Sequence, residues 1–490
     1  MDLGSNTARL VLFRSNRAGP PWSVFEAKET PRLAQDLGPL GRLSNDGIDR
    51  ATGSLARFGR ILKERAPDDV AIVATSAVRD APNRARFLEV ASRRSGYRVR
   101  PLSAREEAFY AYRGVAASLP LHTDRLFDLG GGSIQVVVVR DGKYRSSVSH
   151  PLGALRMHAH FLKHDPPKER EFDALVDFLD VSFERVPRGR PNERVVGIGG
   201  TVRSLARVLR EAGDLPYEDL HGAPIGRADL ERLVSLFRET PIEMRREIPG
   251  LSADRADVAL AGSVVVLRLM RRLGVAEITV SACGLREGVA ADLFRQATPR
   301  DAEVMAHRSA RSAGAALGLS ADHAERVRQH ARALYHLAVA RGRLGPELGR
   351  VVDVAAILHD AGTAISYSHH PAHSAYLVTY RPLYGLTPRE RLLAAGAVDL
   401  HERYEPAGSV MGRAEPDLDR QEERTVERLG AIIAIAEALS EGGDRPRFTW
   451  RADRLTVRSG RGGATQPKLL DRAARAFRRA FDVEVVVGAG

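Results

Sequence analysis

Three short glycine-containing turns in this chain have the composition of phosphate-holding loops. The longest lies in Phe127–Val139, FDLGGGSIQVVVV, where Asp128 precedes Gly130, Gly131, Gly132 and Ser133 and a β-branched run follows. It reads as a hairpin: a strand ends near Leu129, the glycines turn with φ free to be positive, and a second strand returns from Ser133. Backbone N–H groups converging in such a turn can surround a phosphate, and the aspartate stands where a hydrated magnesium ion would be steered. A reduced copy opens the chain as Asp2-Leu3-Gly4-Ser5-Asn6-Thr7, ahead of the apolar Leu10–Phe13. A third turn, Gly197-Ile198-Gly199-Gly200-Thr201, leaves the short run Val195-Val196 and enters the helical stretch Val202–Leu209. Single glycine turns are common. Three on strand ends, two of them headed by aspartate, point to two related half-domains facing one cleft rather than to packing.

The elements between the turns supply further polar groups. Val70–Ala74 reads as a buried strand that delivers Thr75 and Ser76 to its end, with Arg79 on the next turn. Ligands of α/β sheets sit beyond the carboxyl ends of strands, so Arg79 is either a phosphate clamp or a plain surface arginine. A second short strand, Tyr97–Leu102, feeds the helix start Ser103-Ala104-Arg105-Glu106-Glu107-Ala108. Paired glutamates there ordinarily complement the helix dipole. Gly47–Lys63 has the spacing of an amphipathic helix. The apolar helix Val258–Leu273 contains Gly262, expected to pack close to a sheet, and Gly284–Gly288 returns the chain to the cleft. Only Met1 precedes Asp2, fewer apolar residues than a strand end needs, so the first strand is either cut short in this sequence or a short edge.

With 490 residues the chain exceeds one hydrophobic core, and its 43% apolar and 28% charged residues are those of a globular protein. No apolar run approaches the roughly 20 residues of a membrane span, and no signal-type leader precedes Asp2, which argues for a cytoplasmic protein. The lone Cys283 excludes an internal disulfide framework. The net charge of +12 is carried almost wholly by arginine. Arginine favours polyanions because it binds phosphate oxygens bidentately. Specific nucleic-acid binding is disfavoured, since no recognition helix, zinc knuckle or stacking platform is visible.

The segments DLGSNTARLVLF, ATSAVRDAPNRARF, SAREEA, FDLGGGS, PLGALRM, GIGGTVRSLA and SACGLREGV occur in order between Asp2 and Val289. This chain thereby resembles the exopolyphosphatase and guanosine pentaphosphate phosphohydrolase family, with a helical HD-like extension behind it. The resemblance implies an α/β fold of two actin-like lobes (the ribonuclease H-like fold shared with sugar kinases and heat-shock chaperones), at 1–118 and 119–297. An all-α HD-like domain at 298–441 and a small α+β tail at 442–490 would follow. It also implies release of terminal phosphate from polyphosphate or of the 5′ γ-phosphate from guanosine pentaphosphate, with magnesium or manganese as cofactor, and a homodimer. Glu107 matches the glutamate that activates water, with Arg79 neutralising charge. Gly4, Ser5, Asn6, Gly130, Gly131, Gly132, Ser133, Gly199, Gly200 and Thr201 would hold phosphate, and Asp2 and Asp128 the metal.

Two features keep alternatives open. Where the family commonly has glutamate two residues beyond the serine of the GGGS turn, this chain has Gln135, which cannot take a proton. A non-catalytic sensor of guanosine tetraphosphate or polyphosphate is therefore a second reading. The third is an HD-type metal phosphohydrolase, resting on His359-Asp360 with His323 upstream and Glu437 in place of the late aspartate. His330 is the alternative to His323, and His369, His370, His373 and His401 lie nearby in sequence.

Overall fold

The computed structural model describes residues 1–16, 19–33, 41–213, 215, 217, 219–403, 418–440, 446–459 and 467–489. The chain forms two compact units. Met1–Ser15, Pro21–Leu215 and Leu220–Arg300 make the first, and Asn16–Pro20, Pro216–Asp219 and Asp301–Gly490 the second. No helix among the described residues is long and apolar enough to cross a membrane.

The first unit contains two sheets with one wiring pattern. Strands β1 (Asp2–Leu3), β2 (Ala8–Arg14), β3 (Trp22–Glu29), β4 (Ile72–Ala74) and β5 (Val99–Pro101) lie in the order β3-β2-β1-β4-β5. Strands β6 (Asp124–Leu129), β7 (Ile134–Arg140), β8 (Lys143–His150), β9 (Arg194–Ile198), β10 (Pro224–Gly226) and β11 (Glu277–Val280) lie in the order β10-β11-β9-β6-β7-β8. In each sheet two antiparallel hairpins lead into a parallel pair: β1 pairs β2 and β4 as β6 pairs β7 and β9. This is the doubled lobe expected of an actin-like fold, with β10 added at one edge. Of the two readings of β1, the short edge fails: β1 is the centre of its sheet, because β4 covers its other side through Asp2↔Val73 and Leu3↔Ala74.

Burial explains why these segments become strands. Phe127, Leu126, Ile134 and Val139 are fully enclosed, each side chain worth roughly 1.5–3 kcal/mol of apolar transfer. Helices cover the sheets, and two of them hold each other very closely. In Ala104–Ala116 and Leu285–Leu293, a Cβ on Gly114 would stand 2.0 Å from the Gly284 carbonyl oxygen, and one on Gly288 would stand 1.8 Å from that of Tyr110. The helix Ala259–Leu273 makes its close approach elsewhere than expected. Gly262 faces the side chain of Thr201, where a Cβ would meet Thr201 Cγ2 at 2.5 Å, and not a sheet.

The second unit is helical from Ala302 to Ala438 among its described residues. It then adds β12 (Arg447–Arg451), β13 (Arg454–Ser459), the helix Pro467–Phe481 and β14 (Glu484–Ala489). Phe448–Arg458 alternates like one strand in sequence, yet it is a hairpin turning at Ala452, whose φ is 46°. The tail does not form a separate appendage: Trp450, Phe477 and Phe481 belong to the same hydrophobic cluster as Ile432, Leu334 and Val354 of the helices. The boundary expected at 441/442 lies outside the described residues.

Candidate active site

Strand ends and helix starts of the first unit enclose one cleft of about 150 Å³. Asp2, Gly4, Ser5, Asn6, Asp128, Gly130, Gly131, Ser133, Gly199, Gly200, Thr201, Glu107 and Gln135 all line it, so the three turns singled out in the sequence converge. Asp2 and Asp128 occupy equivalent places on the central strands β1 and β6. The glycines act by size more than by φ. None of Gly130, Gly131 and Gly132 is left-handed, contrary to the sequence reading. Instead a Cβ on Gly132 would stand 2.9 Å from both Ser5 Oγ and Ser76 Oγ, and one on Gly153 would meet the Gly131 backbone at 2.4 Å. Gly132 therefore lets the turns close together while staying off the cleft lining. Gly199 does need its conformation: φ is +100°, and a Cβ would lie 2.7 Å from the Leu129 oxygen and 2.9 Å from Asp128 Oδ1.

The two adjacent glutamates divide their work. Glu106 closes a capping box with Ser103, whose N–H donates to Glu106 Oε2 at 2.9 Å, and its other oxygen accepts from Arg100 at 2.6 Å. That is the dipole and capping role of an ordinary helix start. Glu107, one residue on, is buried against the cleft. Burial pushes its carboxyl up to about 7, although Arg79 and a hydrogen bond from Gln135 pull it back and Asp128 adds to the rise. Arg79 Nη1 donates to Glu107 Oε2 at 2.5 Å, and its Nε donates to Asp80 at 3.0 Å. Arg79 thus stands behind the glutamate, off the cleft lining, rather than against the phosphate turns where it was expected.

Four arginines do line the cleft: Arg9, Arg203, Arg255 and Arg286. Arg203 is brought down to about 10 by burial and by Arg286. Burial also works against the charge of Arg286, but Glu287, Asp2 and Glu26 outweigh it and hold its pKa up. Arg203 and Arg286 stand in the first turns of helices that begin at the cleft glycines Gly200 and Gly284. That placement, a glycine turn with an arginine two or three residues on, is the sequence signal by which they could have been found.

The donors fit a hard divalent cation. Burial raises the Asp2 carboxyl, with Arg286 opposing, and lifts that of Asp128 to about 6, with Asp2 adding to it. Two desolvated carboxylates that resist ionisation together call for positive charge. Asn6 Oδ1 and Gln135 Oε1, on residues lining the same cleft, are buried oxygens with no hydrogen-bond partner. An all-oxygen set of this kind suits magnesium or manganese better than a thiolate- or imidazole-seeking metal.

The histidine-rich residues of the second unit fall together differently from the expected set. His323, His359 and Asp360 form one group, but Glu437 joins His401 and Glu402 in another, with Asp360, His370 and His401 between them. His330 is turned to the Ala436 carbonyl and belongs to none of these groups.

Comparison with known proteins gives the family. The model of the Ppx/GppA phosphatase family matches residues 12–297, and that of Ppx/GppA phosphatase, domain III, matches residues 306–447. A guanosine-5'-triphosphate,3'-diphosphate pyrophosphatase of Aeromonas hydrophila is 28% identical over 481 residues, spanning 94% of this chain and 92% of its own. Exopolyphosphatase 1 of Mycobacterium tuberculosis is 29% identical over 296 residues, 59% of this chain and 86% of its own. Among solved structures, the Aquifex aeolicus member of the Ppx/GppA family is 30% identical with a TM-score of 0.52, covering 60% of this chain and 96% of that one.

Proposed function

This chain belongs to the Ppx/GppA phosphatase family, and from that premise we propose that it hydrolyses a terminal phosphoanhydride of inorganic polyphosphate or of guanosine pentaphosphate. One water is consumed, the anhydride P–O bond breaks, and inorganic phosphate leaves a chain or nucleotide shorter by one phosphate. The observation that carries this reading is Glu107: a buried carboxylate on the cleft, poised at about 7, has the affinity for a proton that a general base near neutral pH requires.

Asp2 and Asp128 would hold the divalent cation, magnesium or manganese, which when bound neutralises phosphate oxygens. The remaining work falls to the chain itself. Glu107 accepts the proton of the attacking water, and Arg79 fixes the carboxylate's orientation and its pKa. The Gln135 amide donates to Glu107, which leaves its free Oε1 to accept from that water. Backbone N–H groups of the turns at Gly4–Asn6, Gly130–Ser133 and Gly199–Thr201 cradle the phosphates, with Arg203 and Arg286 facing the charge that develops in transfer. The homodimer and cytoplasmic setting implied by the resemblance belong to the same proposal.

Phosphate release from long polyphosphate and from guanosine pentaphosphate, side by side with magnesium, tests it. Glu107→Gln keeps the shape but removes the proton acceptor, so turnover should fall by about 10²–10⁴-fold while substrate binding holds. Near-normal turnover in that variant would remove Glu107 from the role. Binding without release in the unsubstituted protein would instead favour a phosphate-sensing regulator, the reading that the departure at Gln135 supports.

A further inference from the structure

The helix Gly200–Glu211 shows little but arginine to its surroundings. It begins on the cleft at the turn Gly199–Thr201, and from Thr201 to Arg210 every residue is buried except Arg203, Arg207 and Arg210. Those three stand at i, i+4 and i+7, one stripe along the helix that runs about 10 Å from first to last. Arg203 lines the cleft, Arg207 lies one turn farther out, and Arg210 pairs with Glu211 at the outer end. Arg255 lies alongside, since a Cβ on Gly200 would run into its guanidinium.

Such a stripe destabilises the helix that carries it. Like charges four residues apart repel, and a cation in the first turn opposes the helix dipole. Burial lowers the pKa of Arg203, Arg207 and Arg255 alike, and other arginines lower each further: Arg286 acts on Arg203, Arg210 on Arg207, and Arg9 on Arg255. None of the three forms an ion pair with a carboxylate among the described residues. Arg203 donates to the Ala282 carbonyl at 2.8 Å and Arg207 to Ser204 Oγ at 3.1 Å, while Arg207 Nε is buried with no hydrogen-bond partner. Asp254, the carboxylate that acts most on Arg255, is bonded to Lys28 at 2.5 Å. Partly buried guanidiniums left without anions are donors for phosphate oxygens, which their planar forks fit.

We propose that Arg207 and Arg255 extend the cleft beyond Arg203 as a subsite for the phosphates that follow the one released, so that this chain selects a linear run of phosphates over a nucleoside carrying a few. The subsite rests on the phosphoanhydride-hydrolase reading of the cleft. Its direction suits the task, because the stripe starts at the phosphate turn Gly199–Thr201 and leads away from Glu107 only through further guanidiniums. A base would call for a flat platform, and no Phe, Tyr or Trp is among the described residues lining the cleft.

Equilibrium binding of long-chain polyphosphate, tripolyphosphate and guanosine pentaphosphate to the full chain, with divalent cations removed by chelator so that no turnover intervenes, tests the subsite. Arg207→Met should weaken binding of the long chain by about 10-fold and of tripolyphosphate by less than about 2-fold. Arg207→Lys, which keeps the charge and loses the fork, should fall between, and the salt dependence of long-chain binding should flatten in Arg207→Met. With magnesium restored, the same variant should raise KM for the long chain and leave kcat little changed. Circular dichroism melting should show Arg207→Met to be as stable as the unsubstituted protein or more so, and Arg207→Gln serves if it does not fold. Equal losses on the long chain and on tripolyphosphate, or no loss on either, overturn the proposal, as does a loss confined to guanosine pentaphosphate. A lowered melting temperature with equal losses makes Arg207 a structural residue and overturns it too. Because binding is read without turnover, a protein that binds in the expected order but releases no phosphate would refute the hydrolytic reading and leave the subsite standing.

Discussion

Replacing Arg79 with methionine should change when Glu107 works rather than whether it works. The pair is short, 2.5 Å between Arg79 Nη1 and Glu107 Oε2, and the two side chains are only 16% and 12% exposed, so water screens it little. Burial has already lifted the Glu107 carboxyl to about 7, with Arg79 the main influence opposing it. A charge-assisted hydrogen bond of about 1.5–3 kcal/mol, at 1.36 kcal/mol per pKa unit, corresponds to roughly 1–2 units. The acid limb of kcat/KM should therefore move from about 7 to roughly 8–9 in Arg79→Met. Activity near pH 7 drops by about 5–50-fold and recovers on the alkaline plateau. Initial rates of phosphate release with saturating magnesium, followed across the limb, measure this directly. A phosphate clamp would behave otherwise, raising KM at every pH without moving the limb. A limb that stays in place, with a loss independent of pH, would refute the assignment of Arg79 to Glu107.

Two other perturbations separate local causes. Gln135→Glu sets a second carboxylate against Glu107, where the amide now donates; like charges at that distance should move the acid limb upward and tighten magnesium binding, checked by titrating activity against pH and magnesium. No change would mean that residue 135 points away from the cleft. In the same unit Asp254 accepts from Lys28 at 2.5 Å, and although burial works against it, that bond, Ser252 and Arg255 hold its carboxyl down at about 2. A depressed carboxyl contributes stability that is complete above its unfolded value of about 3.9 and disappears as pH falls through its folded value. Thermal melting should accordingly show an acid loss between about pH 4 and 2 that Lys28→Met diminishes. An identical acid profile in that variant would separate Asp254 from Lys28.

The turns were legible because glycine, aspartate and hydroxyl residues at strand ends have few other uses, and Asp128, Ser133 and Thr201 all reach the cleft. Their glycines were read as conformational devices, whereas Gly132 is small because Ser5 and Ser76 come too near for a side chain. Close approach between segments far apart in the sequence leaves no local trace. Arg203 and Arg286 were hidden by abundance: with 74 lysines and arginines, one more arginine carries little information until its neighbours are known. Arg79 was placed on the right strand end, but which way its guanidinium turns depends on Glu107, 28 residues away. The hairpin at Ala452 escaped because it has neither glycine nor proline to mark it. Likewise, Glu437 could be matched to a pattern, but only the folded helices bring it to His401 and Glu402.

The glycine contacts between the helices Ala104–Ala116 and Leu285–Leu293 have a mechanical consequence. With backbone touching backbone at Gly114–Gly284 and at Gly288–Tyr110, no side chain cushions the crossing, and interiors packed this closely are hard to compress. The helices can pivot about the contact, but pulling them apart would open a void along both. Glu107 rides on one helix, and Arg286 and Glu287 ride on the other. A rotation of one helix against the other would turn about this crossing like a door about its pin. Arg286 and Glu287, two and three residues beyond Gly284, stand beside that pin, so such a rotation would displace them less than groups farther along either helix.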